Sequence, residues 1–329
     1  MTSLTLSKAI NTGLRRALED DPKVMIMGED VGKLGGVFRV TDGLQKDFGE
    51  HRVVDTPLAE SGIIGTAIGL ALRGYRPVCE IQFDGFVYPA TDQIVSQLAK
   101  MRYRSRGKIA LPVVIRIPFG GGIGAVEHHS ESPEAYFTHT AGLRVVACAD
   151  AADAYSMIQL AIASDDPVIF FEPKRRYWDK GEVDTSASLD DAVPLDKARV
   201  ALPGGDVTLL SYGPLVRTCV EAAMAAGSDP SGRSIEVIDL RSLSPLDMAT
   251  INESVQRTGR CVIAHEAPVY SGLGAEIAAR VTDACFYHLE APVLRVGGFA
   301  TPYPAAKAED HYLPDLDRIL DAVDRTFAF

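Results

Sequence analysis

The sequence predicts an α/β protein with two doubly wound domains. Short apolar, β-branched runs alternate with helix-period segments, and this alternation occurs in two separate blocks. The chain has 329 residues, which is enough for two domains, each with its own core. With 47% hydrophobic and 23% charged residues, the composition is typical of a globular protein.

The first block contains runs of Val, Ile, Phe and Cys that are apolar on both faces, as buried parallel strands are. We predict these strands at 24–27, 78–81, 113–117, 145–148 and 168–171. Helix-period segments around them predict helices at 6–18, 61–72, 91–103 and 151–163.

The second block repeats the pattern after a polar stretch without periodicity. Strands are predicted at 207–210, 235–238, 261–264 and 293–296, and helices at 216–226, 275–284 and 316–323. We therefore expect an N-terminal domain at 1–185, a linker at 186–200 and a C-terminal domain at 201–329.

Charge and composition disfavour several functional classes. The formal net charge of -11 would repel phosphate backbones, so nucleic acid is not expected as a partner. The most apolar stretch, 63–72, is about half the length that crosses a bilayer, and the N-terminus has no secretory pattern. We expect a cytoplasmic protein without a membrane span. The five cysteines are far apart and form no CxxC pair, so we expect core residues instead of disulfides or a zinc site.

Glu60 is the first candidate functional residue. Thr56 and Pro57 predict the start of a helix, as its N-cap and its first helical residue. Glu60 comes one residue too late for a capping box and enters an almost uncharged helix. It is either a carboxylate favoured by the helix dipole or a functional acid. Three glycines on one face of this helix would permit close approach of another subunit or of the sheet: Gly62, Gly65 and Gly69.

An aromatic segment follows the predicted strand at 78–81. Phe83, Phe86 and Tyr88 surround a Gly turn at the carboxyl end of the strand, where open α/β sheets bind ligands. The rings could stack on a planar ligand, or they could be ordinary core residues beneath a loop.

A glycine-rich run at 120–125 formally satisfies G-x-G-x-x-A after a strand. Acidic and histidine residues follow it where a dinucleotide site requires an apolar helix, so we expect a mobile loop beside a site or tight packing. His128 and His129 come next, without the spacing of a metal site. A histidine here is either an acid or base of the site or a solvated loop residue.

The segments described above, together with several other short sequence strings, resemble the beta subunit of the first component of 2-oxoacid dehydrogenase complexes, the thiamine-diphosphate-dependent decarboxylase. Each string is weak alone, but they follow the order of the family along nearly the whole chain. They lie at 28–31, 35–38, 55–57 with Glu60, 80–83, 129–130 with 132–134, 171–174, 271–272 with 274–277, 302–304 and 312–314.

The resemblance implies an N-terminal domain with the pyrimidine-binding thiamine-diphosphate fold and a transketolase-like C-terminal domain. It implies two catalytic residues: Glu60, which hydrogen-bonds the pyrimidine ring nitrogen, and His129, which supplies protons to the substrate. Leu58, Gln82 and Phe86 match the other pyrimidine contacts, with Phe86 as the stacking ring. Branched-chain members usually carry Tyr where Phe86 stands.

The resemblance also implies partners. The chain has no Gly-Asp-Gly followed by Asn, the motif that holds magnesium and the diphosphate in the alpha subunit of the family. An α2β2 heterotetramer is therefore implied, with thiamine diphosphate shared between subunits, magnesium held by the alpha subunit and a dihydrolipoyl acyltransferase receiving the acyl group. A structural potassium ion is implied at six positions: Leu111, Val113, Val114, Ala161, Ser164 and Asp166.

The substrate is left open within this family. Gln82 and the string Ser132-Pro133-Glu134 resemble branched-chain members, but pyruvate and acetoin remain alternatives because the alpha subunit lines part of the pocket. A non-catalytic assembly subunit is a further alternative and would tolerate loss of Glu60 and His129. A transketolase-like fragment acting on sugar phosphates is disfavoured, since no Arg and His cluster for a phosphate accompanies the His129 loop.

Overall fold

The computed structural model describes residues 1–228 and 232–329, which form helix-flanked sheets in both halves of the chain. The strands are β1 (Thr2–Thr5), β2 (Val24–Gly28), β3 (Val53–Asp55), β4 (Arg76–Glu80), β5 (Val114–Phe119), β6 (Arg144–Ala147), β7 (Val168–Pro173), β8 (Lys180–Val183), β9 (Arg199–Leu202), β10 (Val207–Ser211), β11 (Ile235–Asp239), β12 (Ser242–Ser244), β13 (Cys261–Pro268) and β14 (Leu294–Gly298). The α-helices are α1 (Leu6–Asp20), α2 (Leu44–Phe48), α3 (Glu60–Leu72), α4 (Ala99–Arg104), α5 (Glu134–Thr138), α6 (Ala151–Ala163), α7 (Val216–Gly227), α8 (Met248–Thr258), α9 (Leu273–Cys285), α10 (Glu309–Tyr312) and α11 (Leu316–Arg325).

The N-terminal sheet has the strand order β12-β6-β7-β5-β4-β2-β3. Strands β2 to β7 pair in parallel, and β12 is antiparallel to β6. Gly28, the last residue of β2, lies opposite Asp55 on one side and Glu80 on the other. The carboxyl ends of these strands therefore share one edge, which is the ligand edge of an open α/β sheet.

The C-terminal sheet has the order β14-β13-β10-β11-β9, with β9 as an antiparallel edge strand. Strand β9 begins at Arg199, inside the expected linker, and β12 leaves this half of the chain to pair with β6. One apolar cluster includes Phe119 and Phe171 of the N-terminal sheet together with Tyr212 and Ile263 of the C-terminal half. The two sheets thus share part of their packed interior.

The predicted fold class is confirmed, and helix α6 has the predicted bounds. The helix predicted at 91–103 is present, but its residues Asp92–Leu98 form a π-helix that continues into the short α4, and a 3-10 segment at Asp84–Ala90 precedes it. Short or edge strands were missed, because three or four residues carry too little periodicity: β1, β8, β9 and β12. Helices α2, α5, α8 and α10 were also missed.

The cysteines behave as predicted, since all five are buried and unpaired. Among residues 1–228 and 232–329, no helix combines the length and the apolar character needed to cross a bilayer.

Candidate active site

Helix α3 carries Glu60 as its first residue, so the predicted N-terminus at Thr56 and Pro57 was wrong. Ala59 is the N-cap residue and offers no side-chain cap. The backbone N–H of Thr56 instead donates to Gly28 O at 2.9 Å, which extends the β2–β3 pairing and delays the helix. The result is a buried Glu60 carboxylate, 8% exposed, at the carboxyl edge of the sheet.

Glu29 lies at the same edge, directly after β2. It is buried, and neither of its carboxylate oxygens has a hydrogen-bond partner among the described residues. Burial raises the pKa of Glu29, and the negative charges of Glu60 and Asp30 raise it further. Glu29 was not among the residues predicted from the sequence, although an acid directly after a buried strand was a usable signal.

Of the predicted pyrimidine contacts, Gln82 follows β4 and donates from Nε2 to Asp30 Oδ2 at 3.4 Å. Leu58 precedes α3 and is 79% exposed in the single chain. Phe86 is half-buried in the 3-10 segment after β4. The segments after β2, β3 and β4 thus present these side chains at one edge of the sheet.

His129 joins this group from the loop that follows β5. Its ring lies 4.1 Å from Phe83 and 5.2 Å from Phe86, measured between ring centroids. His129 Nδ1 is buried and has no hydrogen-bond partner among the described residues. Burial lowers the pKa of His129, and the positive charges of His128 and Lys174 lower it further. A neutral imidazole at neutral pH is able to accept a proton.

A buried ion pair lies beside this aromatic group. Lys174 Nζ donates to Asp84, both side chains are fully buried, and the ammonium is 5.7 Å from the centroid of the Phe83 ring. Asp84 also accepts from the backbone N–H of Glu131 at 2.8 Å, and so fixes the end of the His129 loop. This ion pair was not predicted from the sequence, because its members are 90 residues apart in the chain.

The glycine face of α3 does not pack against the chain's own sheet. A Cβ atom added at Gly65 or Gly69 would meet nothing within 4 Å, and one at Gly62 would meet only Ala59 at 3.6 Å. Of the two explanations for these glycines, tight packing on the sheet is therefore wrong. A subunit interface stays a prediction.

The two segments of the predicted potassium site are adjacent. The backbone N–H of Leu111 donates to Asp165 O at 3.0 Å, and that of Val168 donates to Val113 O at 2.9 Å. The Asp166 carboxylate accepts from Arg102 at 2.7 Å. Within the described residues, no group of three or more His, Cys, Asp or Glu side chains could hold a metal ion. The six positions, several of which would offer only backbone oxygen, stay a prediction.

The edge fits a polar organic cofactor supplied from outside the chain. Three buried polar groups there lack hydrogen-bond partners among the described residues: the carboxylate of Glu29, the hydroxyl of Thr56 and Nδ1 of His129. Buried polar groups in proteins are almost always paired, so these three groups are available to hydrogen-bond a molecule that binds at this edge. The Phe86 ring adds an aromatic surface beside them.

Comparison with known proteins defines the class. Residues 2–179 match the family model described as transketolase, pyrimidine binding domain, and residues 196–319 match transketolase, C-terminal domain. A solved structure titled "Split gene transketolase, inactive beta4 tetramer" shares the fold over 99% of this chain and 98% of its own, with a TM-score of 0.78 at 24% sequence identity. The fold class is thus a transketolase-like pair of α/β domains.

Curated relatives narrow this class. The chain is 62% identical over 327 residues to the pyruvate dehydrogenase E1 component subunit beta of Leifsonia xyli, covering 99% of this chain and 96% of the relative. It is 56% identical over 323 residues to the 3-methyl-2-oxobutanoate dehydrogenase subunit beta of Mycobacterium tuberculosis, covering 98% and 92%. The chain belongs to the family of beta subunits of the E1 component of 2-oxoacid dehydrogenases.

Proposed function

We propose that this chain and an alpha subunit form an α2β2 enzyme that oxidatively decarboxylates a 2-oxoacid and transfers the acyl group to the lipoyl arm of an acyltransferase. The observation that carries the proposal is the buried Glu60 at the carboxyl edge of the sheet, beside the unpaired Glu29 and on the same edge as His129. Thiamine diphosphate, when bound, supplies the electron sink for loss of carbon dioxide.

In this proposal Glu60 hydrogen-bonds the ring nitrogen of the pyrimidine and holds a proton there. Burial of the Glu60 side chain at the start of α3 keeps bulk water away from that contact. Leu58, Gln82 and Phe86 complete the pyrimidine contacts, with Phe86 stacking on the ring. His129 moves a proton at the substrate, because its pKa is lowered and its unpaired Nδ1 can accept.

The alpha subunit would supply the diphosphate and magnesium ligands. Members of this family carry the Gly-Asp-Gly motif there, and the described residues of this chain offer no carboxylate and imidazole cluster for a metal. The open glycine face of α3 is a surface on which another subunit could approach closely.

Branched-chain 2-oxoacids are the substrate class that we propose first, because Gln82 and the string Ser132-Pro133-Glu134 resemble branched-chain members of the family. Pyruvate is the second candidate, favoured by the 62% identity to a relative named for pyruvate. The 56% identity to a relative named for 3-methyl-2-oxobutanoate favours the branched-chain candidate.

The deciding experiment is co-expression with the candidate alpha subunit and a decarboxylation assay on a panel of 2-oxoacids that includes pyruvate and 2-oxoisovalerate. We expect the highest kcat/KM for 2-oxoisovalerate. A higher value for pyruvate would replace the substrate assignment with the second candidate. Assembly without activity on any 2-oxoacid would favour the non-catalytic subunit instead.

A further inference from the structure

The glycine loop at 120–124 is held by acidic side chains of the C-terminal half. The backbone N–H groups of Gly122 and Gly124 donate to the two carboxylate oxygens of Glu309, at 2.7 and 3.0 Å. The N–H of Gly121 donates to Glu266 at 3.1 Å. Successive amides of a glycine-rich turn form an anion-binding concavity, and in this protein the anion comes from the chain itself.

The loop needs glycine to make these bonds. Gly122 and Gly124 have φ values of +86° and +71°, which point their amides toward one carboxylate. A side chain at Gly121 would overlap the phenol of Tyr303. These contacts account for the glycines of the dinucleotide-like string by packing within the chain itself.

Glu309 is suited to hold this loop. Its side chain is buried, and Tyr303 donates a third hydrogen bond to it at 2.6 Å. Burial and the Glu309 charge raise the pKa of Tyr303, so its hydroxyl stays a donor. Charge-assisted bonds from three donors to one buried carboxylate are stronger than the same number of neutral bonds.

The held loop leads directly to His129. Gly120 N–H donates to Glu131 O at 2.9 Å, and Glu131 N–H donates to Asp84 at 2.8 Å, so both ends of the segment are fixed at its base. Within the segment, the His129 N–H donates to Val126 O at 3.0 Å. No described residue hydrogen-bonds the His129 Nδ1 atom, so the backbone path and ring packing decide where the imidazole lies.

We propose that Glu309 is a positioning residue for the reaction: it holds the glycine loop in the path that sets His129 at the substrate. The inference rests on the proposed function, in which His129 moves a proton. It adds that the segment around α10, far away in the sequence, is needed for that step.

The test uses Glu309→Gln, which keeps the shape of the side chain but removes its charge. The control is Asp310→Asn, which removes a charge from the next residue of the same helix; Asp310 is exposed. Tyr303→Phe is a milder variant that removes one of the three donors to Glu309. Amide hydrogen exchange of residues 120–131 and steady-state kinetics are measured on the assembled enzyme.

We expect Glu309→Gln to speed exchange at Gly122 and Gly124 at least tenfold. We expect it to lower kcat/KM by about 10- to 100-fold, as a displaced catalytic group does, with thiamine diphosphate affinity unchanged. Tyr303→Phe should change loop exchange and kcat/KM in the same direction but by a smaller factor. Asp310→Asn should change neither the exchange nor kcat/KM. Unchanged loop exchange in Glu309→Gln would overturn the proposal.

A double-mutant cycle separates positioning from general stability. If Glu309 acts through His129, adding Glu309→Gln to His129→Ala should lower kcat/KM by less than twofold further. Fully additive losses would overturn the proposal. The exchange measurement does not depend on activity. An inactive wild-type enzyme would therefore contradict the proposed function, while the exchange rates would still show whether Glu309 holds the loop.

Discussion

Glu60 is the residue whose environment the structure changes most from the sequence expectation. It lies at the first position of α3 without a side-chain cap before it, because Thr56 continues the strand pairing. Its neighbour Glu29 carries a raised pKa partly because Glu60 is negative. Two buried acids at one edge lower the stability of the folded chain unless a bound ligand pairs with them.

Glu60→Gln tests the role of this carboxylate. The amide keeps the shape but cannot favour a proton on the pyrimidine nitrogen, so activation of the cofactor should slow by about 10²-fold or more while assembly persists. Exchange of the thiazolium proton in the assembled variant is the measurement. Exchange at the wild-type rate would leave Glu60 as a carboxylate of the helix dipole only.

His129→Ala should lower acyl transfer to the lipoyl arm by roughly 10² to 10⁴, or about 3 to 5 kcal/mol of barrier. Cofactor affinity should stay near normal, because His129 faces the substrate in the proposal. His128→Ala is the matched control; its ring is exposed and should matter far less. Equal activity of both variants and wild type would make His129 a loop residue without a catalytic role.

The pH profile gives a second test of His129. Since its pKa is lowered, the neutral, proton-accepting form persists below the ordinary value of about 6.5. We therefore expect the acid limb of the kcat/KM profile to lie below about pH 6.5 and to be absent from the residual activity of His129→Ala. An unchanged limb in that variant would assign it to another group.

At the scale of elements, no side chain at the N-cap of helix α9 accepts a hydrogen bond from the first turn of the helix. A histidine of the neighbouring strand β13 accepts one instead. The N-cap is Gly272, and the N–H of Gly274 donates to Nε2 of His265 in β13 at 3.2 Å. The other ring nitrogen of His265 bonds Ala267 O at 2.9 Å. Burial lowers the pKa of His265 to about 4, so the ring is neutral and Nε2 remains an acceptor.

This contact predicts a pH-dependent stability. The folded pKa of about 4 lies below the unfolded value of about 6.5, so the unfolded chain binds more protons between these values. The contribution of His265 is complete above pH 6.5 and is lost as pH falls toward 4. At pH 5 the loss is about 2 kcal/mol.

Urea unfolding of wild type and His265→Gln, each at pH 7.5 and pH 5, measures this contribution. The glutamine does not titrate, so the free energy of unfolding of wild type minus that of the variant should fall by about 2 kcal/mol between the two pH values. A difference that stays constant with pH would show that His265 does not titrate between them.

At the scale of the whole molecule, the proposed function makes this chain half of a site. The residues that we propose as pyrimidine contacts gather at one edge, while no described cluster of His, Cys, Asp or Glu suits a metal ion. We expect the chain alone to bind thiamine diphosphate weakly and to lack decarboxylase activity, because the family's diphosphate and magnesium ligands lie on the alpha subunit. Calorimetric titration checks this, with the assembled enzyme as control. Tight, magnesium-dependent binding to the chain alone would contradict the expectation.

The sequence by itself determined the fold class, because apolar periodicity reports burial residue by residue, and α6 and the long buried strands follow from it directly. The ordered strings also sufficed to indicate the family and to single out Glu60 and His129 as candidates. Short edge strands such as β9 and β12 were not predictable, because their pairing depends on partners elsewhere in the chain.

Only the tertiary structure decided which side chains meet. Glu309 accepts hydrogen bonds from amides of the glycine loop, more than 180 residues away in the chain. Lys174 pairs with Asp84, which lies 90 residues away in the chain. The start of α3 at Glu60 also depends on a backbone bond between neighbouring strands. Hydrogen bonds and ion pairs form between any groups that folding brings within reach, so local sequence patterns do not specify them.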